Sequence, residues 1–600
     1  MPTVLFLGPA AVCALSWFGA GQVIPRRFLS GERLLDVLTR VGAGSVLLSL
    51  ALFALGRVHL FERSILIALT AVLSVFGVAV VARQRVLRFG RPRERLTAAL
   101  LVACVAALAL DLVAATAPPT SADALKYHLA LPKLWLQQGS ISDSFWQWET
   151  FNPAGIELLF AQGLALGGGS TAATLHAVFA ALCAAAVWGL ARELGAGRSL
   201  AGAVAAFVFV AQGIVTWEAT SAFIELGLTF YVVLAVWHGV RSARSEALVG
   251  ASLLGLFAGA AAGTKYLGLV AAAIVLGLWG GVALARRRFA QIGIAAGVAL
   301  AAGGGWYLKN LVVTGNPIYP FVFGGKWVTP SFEQVARSSA GDYGVGGGIA
   351  RLPLLPLDLM AHGGAFDRGQ YVGTAIFVLA ALALVTQRTP PVLVLVAGAA
   401  IFLVAWWELG PQARFLLPAL AVLAAVGGAG SVSWLAAGRR TRGPVGAVLL
   451  VAGIAWLVAS VALTRQLVPV TVGAEGRTHF LQRLTGTYDT FRAARARSGD
   501  ATIGLVDYPY PFNVPGRSIS LGQPEFRPSL QRAAYLARLR TLGVETVLAG
   551  GVAVPAQLEP LRDCVTRLAS YHARFVTSRS MARSEPFDMT LYSSRGCVVP

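Results

Sequence analysis

A carboxylate that takes a proton from a hydroxyl, set beside cations that hold a phosphate, is the minimum equipment for moving a group off a phosphorylated donor. This sequence has few ionisable residues at the ends of its apolar runs, and both kinds are among them. Asp123 lies in Ser121-Ala-Asp-Ala-Leu-Lys-Tyr-His128, and Glu149 and Glu157 follow in Trp148-Glu-Thr-Phe-Asn-Pro-Ala-Gly-Ile-Glu157. Glu225 stands almost alone at the outer end of a later run, in Ser221-Ala-Phe-Ile-Glu225. Lys265 in Gly263-Thr-Lys-Tyr-Leu-Gly268, Lys309 in Trp306-Tyr-Leu-Lys-Asn310 and Arg414 in Gln412-Ala-Arg-Phe-Leu-Leu-Pro418 bring positive charge to the same outer face. Singly, each has a simpler reading, because an acid at a helix end serves as a solvated cap and a Lys or Arg there anchors in the headgroups. His128 beside Tyr127 reads as an interfacial aromatic, and His176 and His238 read as helix-packing residues. Only the combination at one membrane surface points to group transfer.

The elements that must position these groups are membrane helices. Of the 600 residues 56% are hydrophobic and 13% charged, against about 25% charged in a soluble domain, and the mean hydropathy is +0.68. Those values exclude an ordinary soluble enzyme and a disordered chain. About 20 apolar residues span a bilayer, and the sequence predicts fourteen helices, near 3–20, 42–56, 64–82, 97–116, 171–190, 199–216, 222–239, 247–263, 266–284, 291–308, 371–386, 392–407, 415–434 and 445–463. The first run has no positive charge before it and Arg26 and Arg27 after it, the reverse of a cleavable signal, and is read as a helix. The short second run reads either as a full span or as a half-buried segment.

The net charge of +21 belongs to alternate short loops rather than to one soluble basic face, so nucleic acid is not an expected partner. Arg26 to Arg40, Arg83 to Arg95, Arg192 and Arg198, Arg241 and Arg244, Arg286 to Arg288, Arg388, and Arg439 to Arg442 fall on one side. The other short loops hold only Arg57, Arg63, Lys265 and Arg414. By the positive-inside rule, both termini and the long polar segments 117–170, 309–370 and 464–600 face outward.

In the last segment, Ala501–Asp507, Val544–Leu548 and Met589–Ser593 read as strands, and Leu530–Leu542 and Val565–Arg574 as helices, which makes a small extracytoplasmic α/β domain. Cys564 and Cys597 both fall in it, on the side where disulfides persist, and either a disulfide or two unpaired thiols fits them. Cys13, Cys104 and Cys183 lie in apolar runs as small core residues, and no C-x-x-C pair marks a metal or redox site. Gly259-Ala-Ala-Ala-Gly-Thr-Lys265 superficially resembles a phosphate loop, but it lacks the Gly-Lys-Ser/Thr ending and a preceding strand. Its Gly and Ala content fits close membrane-helix packing instead.

Taken in order, these pieces resemble the GT-C class of polytopic membrane glycosyltransferases, most closely the RgtA/B/C/D-like (protein-mannosyltransferase-like) bacterial members. The resemblance runs through Asp123-Ala-Leu-Lys-Tyr-His-Leu129, Pro153-Ala-Gly-Ile-Glu-Leu-Leu159, Phe223-Ile-Glu225, Gly263-Thr-Lys-Tyr266, Lys309-Asn-Leu-Val-Val-Thr-Gly-Asn-Pro-Ile-Tyr-Pro-Phe321, Phe366-Asp367 and Arg414-Phe-Leu-Leu-Pro418, covering roughly 97–434. It implies accessory helices in 1–96, a GT-C core in 97–463 and a separate domain in 464–600. It further implies transfer of a sugar from a polyprenyl-phosphate donor to a lipid, glycan or protein acceptor outside the cytoplasm of a bacterial cell.

Asp123 then matches the acid of the first outer loop. Glu225 matches a second acidic position that is usually Asp, and the change moves the charge by one methylene. Lys265, Lys309 and Arg414 match the donor-phosphate positions, Lys309 standing where Arg is more usual, which disfavours bidentate contact there. Tyr127, His128, Glu149, Glu157, Asn310 and Tyr319 match substrate-binding positions. The sequence requires no cofactor, and a divalent metal is allowed without a complete ligand set. Two alternatives stay open: a flippase or transporter of a lipid-linked sugar, and a GT-C polymerase or ligase that uses a pyrophosphate-linked donor.

Overall fold

The computed structural model describes residues 4–84, 94–141, 148–326, 341–436, 438–506, 511–521, 532–551, 554–576 and 584–598. Arg85, Arg88, Arg91 and Arg93 of the second cationic loop and Asp507 at the end of the first expected strand lie outside them.

Each of the fourteen apolar runs contains a helix, and the helices differ in length. Among the described residues ten helices are long and apolar enough to cross a membrane, or eleven if a bent pair is counted as one. The ten include α1 (Val4–Ala20), α2 (Arg33–Arg57), α3 (Arg63–Gln84), α4 (Arg95–Ala114), and, after α5 (Ala130–Gln138) and α6 (Gly155–Gly167) of the first long loop, α7 (Gly169–Leu194). α2 settles the short second run as a 25-residue helix. Its first eight residues include Arg33, Asp36 and Arg40, which mask its length in a hydropathy reading, and Glu32 caps it by accepting from the Leu35 N–H at 2.8 Å.

The run 199–216 is two helices, α8 (Ser199–Val210) and α9 (Gly213–Ala219), bent by 70° at the break between them. α10 (Glu225–Ser242) has 18 residues and α11 (Leu248–Ala262) only 15. α12 (Tyr266–Ala285) and α13 (Phe289–Thr314) follow. α11 lies so close to α13 that a Cβ on Gly255 would stand 2.2 Å from the Ala295 carbonyl oxygen and one on Gly259 2.3 Å from that of Ala299. The glycines of the apparent phosphate loop are therefore a helix-packing stripe, as small residues in membrane helices commonly are. The remaining core helices are Ala375–Thr386, Pro390–Leu409, Leu417–Ala436 and Arg439–Thr464, of which the first has 12 residues.

The C-terminal domain is a five-stranded sheet of order β2-β1-β3-β5-β4, formed by β1 (Thr502–Val506), β2 (Ser518–Ser520), β3 (Val544–Gly550), β4 (Thr566–Val576) and β5 (Ser584–Ser593). β1 runs parallel to both neighbours, and all five of its residues are buried, as for a strand covered on both faces. The expected helix at Val565–Arg574 is instead the edge strand β4, antiparallel to β5 from Thr566–Ser593 to Val576–Ser584. Its Ala569, Tyr571 and Ala573 alternate toward the sheet's core, a period of two that pairing with β5 makes decisive. Arg532–Leu542 is helical, and Cys564 and Cys597 form a disulfide with their Cα atoms 5.2 Å apart.

This domain is docked on the loop that carries Asp123. Leu125 is packed into its core with Ile503, Leu505 and Leu548. The Lys133 ammonium donates to the carbonyls of Phe512 (3.0 Å) and Val514 (2.5 Å), and Arg477 donates to the Ser170 hydroxyl. Burial pushes the Lys133 amine down to about 8, and Arg495 adds to the shift.

Candidate active site

Five loop and helix ends meet at one end of the bundle. The chain leaves α4, turns through Asp123 and makes one π-helical turn, Ala124–His128, before α5. From the opposite side, Gly410, at a φ of +131° that favours glycine, turns the chain into Ala413–Leu416. The turn delivers Arg414, whose Nη2 donates to Asp123 Oδ2 at 2.5 Å. Gln412 Oε1 accepts two further bonds from Arg414, and the guanidinium lies over the rings of Phe223 (4.9 Å) and Phe415 (5.0 Å). Burial alone would raise the Asp123 carboxyl, but Arg414, with His128 and Lys126, holds it below the usual carboxylate range. Its side chain stays 26% exposed, so an ionised, reachable base stands there. Tyr127 has its hydroxyl 3.5 Å from Asp123, and burial pushes that hydroxyl far up, so it remains a neutral donor.

The second pair is Glu225 and Lys265. Glu225 opens α10 and is wholly buried. One oxygen accepts from the Ile224 N–H at 3.1 Å and the other from Lys265 Nζ at 2.8 Å. Lys265 Nζ also sits 3.8 Å from the centroid of Phe415. Both cations thus flank one phenyl ring, each held by its own carboxylate. The start of α10 is fixed by His176, whose Nδ1 lies on the carbonyls of Glu218 (2.7 Å) and Ser221 (2.9 Å) while Nε2 accepts from the Leu226 N–H (3.1 Å). The sequence reading of His176 as a packing residue understates this cap on an otherwise unpaired helix amide.

Two site residues escape a reading of the sequence. Glu218, in the short helix after the break in 199–219, is fully buried, has no hydrogen-bond partner on either oxygen among the described residues, lies 3.9 Å from His176 Nε2, and feels the charge of Glu225. It lies just past the apolar run 199–216, and only Gln212 just before α9 marks the break that brings it to the site. Arg368 follows Asp367 with both residues in the left-handed region, and its guanidinium lies 4.4 Å from the Trp217 ring.

The other expected positions lie around this centre rather than in it. Lys309 Nζ donates to the Thr150 carbonyl (3.1 Å) between the rings of Phe151 (5.2 Å) and Trp306 (5.3 Å). Asn310 donates to the Phe151 carbonyl at 2.7 Å and to the Tyr266 hydroxyl, which in turn donates to the Tyr319 carbonyl at 2.6 Å. Together they tie the end of α13 to the first loop. His128 Nδ1 meets Glu157 at 2.8 Å in the interior, and Lys126 meets Glu149 at 2.6 Å. Against the pull of burial, Glu149 holds the Lys126 ammonium above its ordinary range. Among the described residues no group of three His, Cys, Asp or Glu side chains is placed to hold a metal ion.

A groove begins about one to two helical turns from the two ion pairs. An apolar groove of ≈ 350 Å³ lies between α10, α12, Pro390–Leu409 and Leu417–Ala436, with Pro418, Val232 and Ala271 toward the site and Arg244 and Arg286 toward the opposite end. Pro418 is four residues past Arg414, Val232 seven past Glu225 and Ala271 six past Lys265.

No family model and no curated protein matches the chain. Among solved structures it is similar to ArnT from Cupriavidus metallidurans bound to undecaprenyl phosphate, with a TM-score of 0.53 and 15% identity over 82% of this chain and 98% of that one. The apo state of the same protein gives 0.52 and 14% over 83% and 98%. At this identity the likeness is one of architecture, and it extends across nearly the whole of the other chain. The protein is an all-α polytopic membrane protein of the GT-C fold with a small C-terminal sheet domain.

Proposed function

We propose that the protein is a membrane glycosyltransferase that moves a sugar from a polyprenyl-phosphate donor to an acceptor outside the cytoplasm, with inversion at the anomeric carbon. The observation that carries this reading is the pair of carboxylate–cation contacts, Asp123–Arg414 and Glu225–Lys265, flanking Phe415 at the head of an apolar groove. The isoprenoid tail lies in the groove, and its phosphate rises to the two cations. Support also comes from the Cupriavidus protein of the same fold, which is bound to undecaprenyl phosphate. The Arg-rich short loops assigned to the opposite side by their charge support an outward-facing site.

In the reaction the acceptor oxygen bonds to the anomeric carbon while the bond from that carbon to the phosphate oxygen breaks. Asp123, ionised and accessible, takes the acceptor's proton. The electron pair leaves with the polyprenyl phosphate, whose growing charge Arg414 and Lys265 neutralise in a setting depleted of water. Glu225 holds Lys265 in place and positions the acceptor. Lys309, engaged with the Thr150 carbonyl, is not part of the phosphate set in this reading.

The test is transfer from a panel of radiolabelled polyprenyl-phosphate sugars into lipid, glycan and protein of membranes carrying the wild type or Asp123→Asn at matched expression. Label should move with the wild type and fall by about 10²–10⁴-fold in the variant, the range for loss of a general base. Normal transfer by Asp123→Asn would overturn the assignment of the base. No transfer from any monophosphate donor by folded wild type would overturn the donor class.

A further inference from the structure

A second opening lies at the end of the bundle away from Asp123. α4, α7 and α8 and the helix Leu417–Ala436 leave a cavity of ≈ 1260 Å³ between them, far larger than the ≈ 350 Å³ groove under the site. Its lining on α4 runs from Leu96 to Leu108, about 18 Å at the rise of an α-helix and a little over half of the roughly 30 Å hydrocarbon core. The depth is that of one leaflet.

The walls are apolar, and the mouth is not. Arg192, Arg198 and Arg442 line it with Glu94. Arg192 has its guanidinium over Trp188 at 4.9 Å and lies 3.5 Å from Glu32. Arg442 is held by one bond from Nε to the Leu435 carbonyl at 2.6 Å, which leaves its two terminal nitrogens to spare. Glu94 already accepts from the Thr97 hydroxyl at 3.0 Å. Among the described residues neither Arg198 nor Arg442 has a carboxylate partner. Two guanidiniums with no carboxylate partner among the described residues, over a one-leaflet apolar cavity, call for a ligand with an anionic head and a tail. Guanidinium is the group best matched to phosphate oxygens, and basic pockets between membrane helices recognise lipid headgroups in this way.

We propose that this cavity binds one anionic phospholipid of the adjacent leaflet, with its phosphate on Arg198 and Arg442 and an acyl chain along Leu101, Cys104 and Leu108 of α4. The site is separate from the transfer site and does not depend on its assignment. Among the described residues its lining holds one carboxylate, Glu94, engaged with the Thr97 hydroxyl at the mouth, and the role that fits the cavity is recognition of the lipid rather than chemistry on it.

Trp188 lines the cavity and reports on it. The full chain is placed in bilayers doped with brominated phosphatidylglycerol or brominated phosphatidylcholine, and the Trp188 signal is taken as the difference between wild type and Trp188→Phe. The anionic lipid should quench that signal at a mole fraction lower by about fivefold for each arginine it meets. Arg198→Gln/Arg442→Gln should abolish the preference. Arg244→Gln/Arg286→Gln, at the same end but outside this cavity, should retain it and serves as the folding control. Equal quenching by both lipids in the wild type, or a preference that survives Arg198→Gln/Arg442→Gln, would overturn the proposal. So would displacement of the quencher by undecaprenyl phosphate but not by unlabelled phosphatidylglycerol, which would assign the cavity to the polyprenyl lipid.

Discussion

Lys265 and Lys309 stand at the same end of the bundle, each next to an aromatic ring, and they do different work. Lys265 faces a carboxylate, Glu225, and remains 15% exposed beside the Phe415 ring it shares with Arg414. Lys309 faces the Thr150 carbonyl, is held between Phe151 and Trp306, and belongs with Asn310 and Tyr266 to the clasp that ties α13 to the first loop. A partly exposed cation beside a carboxylate is available to a phosphate that arrives there. A cation donating to a backbone carbonyl within an aromatic sandwich is committed to the fold. The comparison shows that a Lys in a family-like motif is assigned by what it touches rather than by its place in the motif.

The most severe way to test that difference is at Arg414. Arg414→Gln removes the phosphate contact and the partner of Asp123 together, and transfer should fall by about 10²–10³-fold, the range for loss of one preorganised charge-stabilising donor. It should also change the pH profile. With Arg414 present the Asp123 carboxyl is held low, so the activity that needs it ionised is lost only as pH falls below about 3.9, the ordinary Asp value. Without the guanidinium, burial dominates and the carboxyl rises, so the acid limb of the rate profile should move to higher pH. An unmoved limb would mean that Asp123 is not the group titrating.

Lys265→Met comes next and separates fold from chemistry. It leaves Glu225 buried without its cation, and removing one partner of such a pair costs about 3–5 kcal/mol. Lys265→Met/Glu225→Gln should recover most of that stability in thermal unfolding and still transfer slowly. Recovery of both stability and rate would place Lys265 with Lys309, as a part of the fold alone.

The level of the site was legible because apolar runs leave their ionisable ends at a common surface, and Asp123, Glu225, Lys265 and Arg414 are such ends. Their pairing was not legible, since Arg414 meets Asp123 across 291 positions of sequence. Glu218 was hidden because it sits in the short gap between two apolar runs, and its approach to Glu225 depends on the 70° bend after α8. The polar first turn of α2 hid a full span. In the C-terminal domain, Val565–Arg574 has charged and apolar residues at spacings that suit a helix, and only β5 alongside it makes it a strand. The docking of Leu125 into that domain had no local signal either, because a leucine in an interfacial loop reads the same whether it faces lipid or another domain.

The mildest expected effect is at Lys309. Lys309→Met keeps the apolar stem between Phe151 and Trp306 and removes the ammonium that donates to the Thr150 carbonyl. A lost hydrogen bond from a charged donor is worth about 1.5–3 kcal/mol, so the protein should melt at a lower temperature in detergent while transferring at a rate within about threefold of wild type. The donor concentration that half-saturates the enzyme is the sharper measure, because a lost phosphate contact raises it and a loosened clasp at the end of α13 does not. A large rise in that concentration with the melting temperature unchanged would put Lys309 back among the phosphate ligands and dissolve the contrast with Lys265.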